Sequence, residues 1–277
     1  MAELETRREA EPPSNEPGDL WARLRALTPA RIGLGRAGAS MPTRALLEFE
    51  LAHARARDAV HAPFDAGAVA RELRESGFGT TPVVATQARN RIEYLLRPDL
   101  GRVLDPESRE GLRALASCGG ETRLTFVIAD GLSAIAAERH AIPLLRAIRD
   151  GYWMLLGDFW KTVTVVVANQ ARVALGDEIG EILAAEAVVV LIGERPGLSS
   201  PDSLGVYLTW APRVGRTDAE RNCISNVRPE GLAYSEAARR LVYLLCEARR
   251  LQLSGVGLKD DSEVRAQRLP ESRPHQS

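Results

Sequence analysis

Glycines and polar side chains that can hold a ligand occur together in three short stretches of this 277-residue chain. The stretches are Asp130–Ser133, Asn169–Val173 and Gly193–Leu198, and each directly follows an apolar run rich in valine or isoleucine. Glycine lets the backbone approach a ligand closely, while carboxylate, amide and guanidinium groups supply hydrogen bonds. These residue types predict ligand binding. Two structural alternatives stand beside it: Asp130 could simply cap a helix, and Glu194 with Arg195 could form a solvated ion pair.

Residue patterns that signal common catalytic machinery are missing from the sequence. No GxGxxG follows an apolar strand, and neither GxxxxGK[ST] nor GxSxG occurs, which argues against dinucleotide binding, ATP binding and a serine nucleophile elbow. The four histidines have no metal-binding spacing. The three cysteines, Cys118, Cys223 and Cys246, contain no CxxC pair, which favours a reducing compartment over a disulfide framework or thiolate zinc site. We therefore expect no catalytic residue and no metal ligand in this chain; the chemistry is supplied by something else.

The three apolar runs that precede the polar stretches predict the strands of one sheet. They are Leu124–Ala129, Thr162–Ala168 and Ala187–Ile192, and their continuous apolarity is typical of parallel strands covered on both faces. Helical patterns fill the intervals, so we predict an α/β fold with a doubly wound, mostly parallel, Rossmann-like sheet. Ligands of such sheets bind at the carboxyl ends of the strands, which is where the three polar stretches would meet.

Changes in composition divide the chain into four predicted segments. Residues 1–18 and 260–277 are polar and rich in turn-forming residues, which predicts a disordered N-terminal segment and a flexible tail. Residues 19–80 show helical periodicity without a strand signal, which predicts a small helical N-terminal domain. Residues 81–259 hold the predicted strands and form the α/β domain.

The overall charge and hydropathy exclude several classes of partner. With 36 basic and 37 acidic residues the formal net charge is −1, so no global field draws the chain to nucleic acid or to an anionic membrane. The N-terminal residues contain no apolar signal region, and no run of about 18 apolar residues occurs. These observations predict a cytoplasmic protein that binds neither nucleic acid nor membrane.

Several stretches, in order along nearly the whole chain, resemble the small (light) subunit of ethanolamine ammonia-lyase. The most specific pair is GERPG at residues 193–197 followed by CISN at residues 223–226. The stretches that carry the resemblance are Gly35–Val60, Tyr94–Arg102, Phe126–Ala134, Ala171–Leu183, Leu191–Arg213 and Arg221–Leu232.

The resemblance implies a subunit of a two-chain, hetero-oligomeric enzyme that converts ethanolamine into acetaldehyde and ammonia by radical chemistry with adenosylcobalamin. In that family a barrel-shaped large subunit binds the substrate, and the small subunit covers the corrinoid, so that the cofactor lies between the two chains. This division agrees with the missing catalytic signatures, because a cofactor carries the difficult chemistry and the protein orients it. Residues 81–259 would then be the cobalamin-binding domain.

The resemblance also implies three cobalamin contacts, at Val173, Glu194 and Cys223. Val173 would contact the rim of the corrin, Glu194 would accept hydrogen bonds from its amide side chains, and Cys223, in a predicted CISN loop, would offer a polarisable or main-chain contact. No DxHxxG motif is present, so we expect the cofactor to keep its own dimethylbenzimidazole ligand, the base-on form. Some members carry a longer N-terminal extension for a bacterial microcompartment; residues 1–18 are short and proline-broken, which disfavours that destination.

Two other classes remain open at this point. A non-catalytic corrinoid-binding or scaffold module would have the same site without a radical partner. A dinucleotide- or phosphate-binding α/β protein is disfavoured by the missing glycine motifs.

Overall fold

The computed structural model describes residues 17–118 and 120–262. The two predicted loose ends, residues 1–18 and 260–277, lie almost wholly outside these ranges. The helices are α1 (Pro17–Ala26), α2 (Thr43–His61), α3 (Ala66–Glu75), α4 (Arg91–Leu96), α5 (Pro106–Cys118), α6 (Ala134–Leu156), α7 (Asp158–Lys161), α8 (Leu175–Ile182) and α9 (Tyr234–Leu251). The strands are β1 (Val83–Ala85), β2 (Leu124–Ala129), β3 (Val163–Asn169), β4 (Ala187–Gly193), β5 (Leu204–Trp210) and β6 (Arg221–Val227).

The chain divides into two compact units, and the division falls between His53 and Ala54, inside α2. The predicted helical domain over residues 19–80 is not confirmed as a separate body. Helix α3 begins after Asp65, whose carboxylate accepts a hydrogen bond from the Ala68 amide at 2.8 Å. It buries Val69 and Leu73 in the same core as β2 and β3, so α3 belongs with the sheet because its apolar face has its packing partner there.

The strands form one sheet in the order β1-β3-β2-β4-β5-β6. Strands β1, β3, β2 and β4 are parallel, whereas β5 runs antiparallel to β4 and β6 antiparallel to β5. The α/β class is thus confirmed, with a mixed sheet. The connection over residues 194–203 explains the change of direction, because a parallel crossover takes a dozen or more residues.

Both faces of the central strands are covered, as their continuous apolarity predicts. Phe126, Val165 and Val189 face the core that α3, α6 and α9 complete. The alternate residues, such as Val127 and Val166, face the core that α5 and α8 complete. Within the sheet, β3 is the neighbour of β2 on one side and β4 is its neighbour on the other. The connection after β2 leads to β3 and the connection after β4 leads to β5, so these two connections leave in opposite directions.

Pro143 lies inside the continuous helix α6, although a proline in a helix interior usually kinks or breaks the helix. Proline in a helix interior costs about 3 kcal/mol because it removes a backbone hydrogen bond. The neighbouring Ile142, Leu144 and Leu145 are buried in the main core. Burial of side chains of this size contributes about 1.5–3 kcal/mol each, so the packing of α6 outweighs the cost of its proline.

Candidate ligand site at the carboxyl edge of the sheet

Asp130 joins the loops that follow β2 and β3. One carboxylate oxygen accepts hydrogen bonds from the amides of Gly131 (3.0 Å) and Ala171 (3.1 Å), and the other accepts one from Arg91 Nη1 (3.2 Å). Burial raises the pKa of Asp130 to about 6, against the opposing effect of Arg91. The alternative that Asp130 caps a helix is wrong, since Ser133 is the residue that caps α6.

Two glycines let the loops after β2 and β4 meet backbone to backbone. The Leu132 amide donates a hydrogen bond to the Gly193 carbonyl at 2.9 Å. A Cβ atom on Gly193 would lie 2.0 Å from the Ser133 carbonyl oxygen, and one on Gly131 would lie 2.2 Å from the Gly193 carbonyl oxygen. No side chain fits at either position. The glycines therefore close the base of the site at the point where the strand order reverses, the usual ligand position of an open α/β sheet.

A cavity of about 430 Å³ opens above these glycines, and it contains two of the three predicted contact residues. Val173 reaches it from the loop after β3 and Glu194 from the end of β4. The remaining wall combines backbone, aromatic and cationic groups: Tyr94, Gly131, Leu132, Arg172, Ile192, Gly193, Arg195 and Tyr207. The cavity thus presents one carboxylate beside an apolar surface, with arginines at its edges.

Glu194 is held in place by its neighbours and keeps one oxygen available. Its Oε2 accepts hydrogen bonds from the Ser203 hydroxyl and from the Asn226 amide, the latter at 3.3 Å. Its Oε1 accepts none from the described part of the chain. The predicted alternative, a solvated ion pair with Arg195, is not observed among the described residues. Glu194 thus lines the cavity with its carboxylate oriented and one oxygen without a donor among the described residues.

Cys223 lies on β6, and the prediction that it sits in a loop is wrong. The polar sequence of this strand reflects its place at the edge of the sheet, where Cys223 is exposed and Ile224 turns into the core. Cys223 pairs across the sheet with Tyr207, which lines the cavity. Burial raises the pKa of the Tyr207 phenol. The third predicted residue is thus one strand away from the cavity wall.

Tyr94 is a part of the site that the polar strand ends did not indicate. Its ring is fully buried, and its hydroxyl donates a hydrogen bond to the Ala171 carbonyl at 3.0 Å. The guanidinium carbons of Arg172 and Arg91 lie 4.2 and 4.9 Å from the ring centroid, within the range of cation–π attraction. Tyr94 comes from α4, outside the sheet, so only the resemblance over residues 94–102 pointed to it.

A buried ion pair ties β6 to α8, next to the cavity. Arg221 donates to both carboxylate oxygens of Asp177 at 2.6 Å, and it also donates to Thr209 Oγ1 at 2.9 Å. Only 2% of each side chain of the pair is exposed. Arg221 is the first residue of β6, which carries Cys223, and Asp177 lies on α8, which follows Val173. The Asp177–Arg221 pair therefore fixes the distance between Val173 and Cys223, two of the three predicted contacts.

A larger cavity of about 930 Å³ lies on the other side of Asp130. It is lined by Thr86, Arg91 and Gln170, among others, and by none of the three predicted residues. We place the candidate site in the smaller cavity because the crossing-over of the strand connections and the glycine contacts are both there. Size alone does not define a binding site.

In residues 17–118 and 120–262 no three His, Cys, Asp or Glu side chains are grouped as a metal ion would need. None of the helices found there is long and apolar enough to cross a bilayer.

The fold and the cavity together define an α/β protein with a candidate ligand site at the carboxyl edge of its sheet. The model of the ethanolamine ammonia-lyase light chain family matches residues 18–259. Ethanolamine ammonia-lyase small subunits from Pseudomonas aeruginosa (strain LESB58) and Xanthomonas campestris pv. campestris (strain B100) are each 56% identical, over 89% and 91% of both chains. That of Azotobacter vinelandii (strain DJ) is 57% identical over 88% of this chain and 89% of its own. The chain belongs to the ethanolamine ammonia-lyase small-subunit family, and it is one subunit of a two-subunit lyase.

Proposed function

We propose that this subunit binds adenosylcobalamin at the carboxyl edge of its sheet, against the large subunit, in an enzyme that converts ethanolamine into acetaldehyde and ammonia. One observation carries the proposal: the loops after β2, β3 and β4 converge on a single cavity that contains Val173 and Glu194. The helix-covered parallel strands β1-β3-β2-β4 form the doubly wound, Rossmann-like part in this proposal, and the cavity marks its crossing point.

The chemistry of the cavity fits a corrinoid. A corrin presents a flat apolar ring with amide side chains around its rim. Val173 and Tyr207 offer apolar surface, while Glu194 Oε1 offers an acceptor to which an amide N–H can donate. Ser203 and the Asn226 amide orient that carboxylate in advance, which lowers the entropic cost of binding.

The size of the cavity supports a shared site. A corrinoid is far larger than about 430 Å³, so this cavity can take only part of it and leaves the rest exposed. Binding sites generally bury most of the surface of their ligand. In the proposal the large subunit covers the exposed side and also binds ethanolamine, so each chain supplies half of the cofactor site.

The residues of this chain have binding and positioning roles in the proposed reaction. When bound, adenosylcobalamin supplies radical chemistry through homolysis of its cobalt–carbon bond. Val173, Glu194 and Cys223 would hold and orient it, and none of them moves a proton. Among the residues that the structure describes, no histidine lines the cavity. The cofactor keeps its own dimethylbenzimidazole ligand in this proposal, and a cob(II)alamin EPR spectrum with histidine coordination from this chain would contradict it.

Substitution of Glu194 tests the site in the assembled two-subunit enzyme. Loss of one charge-assisted hydrogen bond costs about 1.5–3 kcal/mol, so Glu194→Ala should weaken adenosylcobalamin binding about 10- to 150-fold. Subunit assembly should be unchanged. Ser203→Ala is the matched control: it removes one hydrogen bond that orients the carboxylate but keeps the carboxylate itself, so its effect should be smaller. An unchanged dissociation constant for Glu194→Ala would remove this residue from the site.

A further inference from the structure

A second, smaller recess adjoins the candidate site on the far side of Val173. Its volume is about 400 Å³, and it shares Arg172 and Val173 with the cavity described above. Among the described residues, four arginines line it, and Asp218 is the only acidic residue that does. The recess is therefore a basic extension of the candidate site.

The charges around this recess do not cancel. Arg221 is neutralised by Asp177 and Arg216 by Glu220. Arg102 and Arg172 form no ion pair with any described residue. Arg102 is exposed, and Arg172 Nε is a buried donor without an acceptor. Arg102 and Arg172 carry two positive charges and Asp218 carries one negative charge, so the recess keeps a net positive charge.

Arg172 is held in position before any ligand arrives. Its guanidinium stacks on the Tyr94 ring at 4.2 Å, and its Nη2 donates to the Tyr94 carbonyl at 3.3 Å. Its backbone amide donates to the Gly101 carbonyl at 2.7 Å, which fixes Arg172 beside the backbone of Arg102. The two uncompensated arginines are thus neighbours along the chain fold, and ordering the Arg172 side chain on binding costs little.

The beginning of α8 adds to the positive potential. Val173 and Ala174, which precede its first residue Leu175, both line the recess. A helix N-terminus carries a partial positive charge that favours anions. The amides of Leu175, Gly176 and Asp177 already donate to backbone carbonyls, so α8 contributes this field and not free donors. The acidic residues of the first turn do not offset this, because Asp177 pairs with Arg221 and Glu178 with Arg109 at 2.6 Å.

We infer that this recess binds the phosphodiester of the corrinoid's nucleotide loop, between Arg102, Arg172 and the start of α8. The inference rests on the proposed function, since it assumes that a corrinoid lies in the adjoining cavity. A base-on cobalamin carries one phosphodiester, and this group is the only anion on its periphery. Arginine is suited to phosphate because its planar donors match the oxygens of the anion.

Three corrinoids separate the phosphate from the rest of the cofactor. Adenosylcobalamin has the complete nucleotide loop, adenosylcobinamide phosphate keeps the phosphate without the base, and adenosylcobinamide lacks both. Dissociation constants are measured for all three with the assembled two-subunit enzyme and with its Arg102→Ala variant. We expect about tenfold weaker binding or more for the two phosphorylated ligands and a change below about twofold for adenosylcobinamide.

Two further variants protect this result against a structural explanation. Arg172→Gln should give the same selective loss, although Arg172 also contacts Tyr94. Arg113→Ala removes an exposed arginine on α5 that does not line the recess, and it should change none of the three constants. Equal losses for all three corrinoids, or no loss for any, would overturn the phosphate site while leaving the proposed function intact. If the unmodified enzyme binds none of the three, the proposed function itself fails.

Discussion

Removal of the Asp177 carboxylate tests whether the buried pair with Arg221 holds the two sides of the site together. Both side chains are 2% exposed, and their two hydrogen bonds measure 2.6 Å each. Burial raises the pKa of Asp177 even though Arg221 opposes the shift. In Asp177→Ala the Arg221 guanidinium would keep two neutral partners, Thr209 and the Arg216 carbonyl. Its remaining carboxylate neighbour would be the exposed Asp218, at 3.5 Å.

A buried charge that has lost its partner destabilises a protein by about 3–5 kcal/mol. We expect this loss for Asp177→Ala. When both charges are replaced by apolar groups, as in Asp177→Leu with Arg221→Met, the loss should be much smaller because no ion remains to be desolvated. The coupling free energy of the pair comes from the cycle of Asp177→Leu, Arg221→Met and the double variant, as the loss in the double variant minus the sum of the two single losses.

Urea unfolding of the full chain, followed by circular dichroism, measures these differences. With a slope of about 2–3 kcal/mol per molar urea, the midpoint of Asp177→Ala should fall by about 1–2.5 M. A loss below about 1 kcal/mol, or a double variant less stable than the single one, would refute the claim that an uncompensated charge dominates.

Two other changes test the base of the site. Gly193→Ala would place a Cβ atom 2.0 Å from the Ser133 carbonyl oxygen and should lower the free energy of unfolding by about 1–3 kcal/mol or more. The control Gly111→Ala lies in open space on α5 and should be neutral or stabilising in urea unfolding. Equal effects of the two variants would contradict the predicted close contact. The folded-state pKa of Asp130, raised to about 6, exceeds its unfolded value of about 3.9. Folded protein then keeps a proton that unfolded protein releases, so this carboxyl makes stability fall as pH rises from about 4 to 6, with no further change above. Asp130→Asn should lack that fall when the two unfolding midpoints are compared at pH 4.5 and 7; parallel pH profiles would contradict the raised pKa.

The central strands were predictable because burial on both faces leaves a clear signal in the sequence. The predicted Leu124–Ala129 matches β2 at both ends, and the predicted Thr162–Ala168 and Ala187–Ile192 match β3 and β4 within one residue. Strand β6 was missed because it is the edge strand, where Cys223, Ser225 and Asn226 are exposed and the sequence reads as polar. Strand β5 was missed although six of its seven residues are buried.

The site was predictable only where it lies on the sheet. The rule that ligands bind at the carboxyl ends of strands selected the stretches Asn169–Val173 and Gly193–Leu198 without reference to any relative, and the resemblance then singled out Val173 and Glu194 within them. It could not locate Tyr94 or Arg102, because these residues reach the site through tertiary packing. The role of Asp130 as a link between two loops is likewise a tertiary property, since the same residue at a strand–helix turn is compatible with a simple cap.

Adenosylcobalamin binding by the separate and combined subunits tests the central claim most directly. The dissociation constant is measured for the small subunit, the large subunit and the assembled enzyme under the same conditions. If each chain supplies half of the site, the assembled enzyme should bind the cofactor at least about tenfold more tightly than either chain alone. Binding by one isolated chain that equals binding by the assembled enzyme would contradict a shared site.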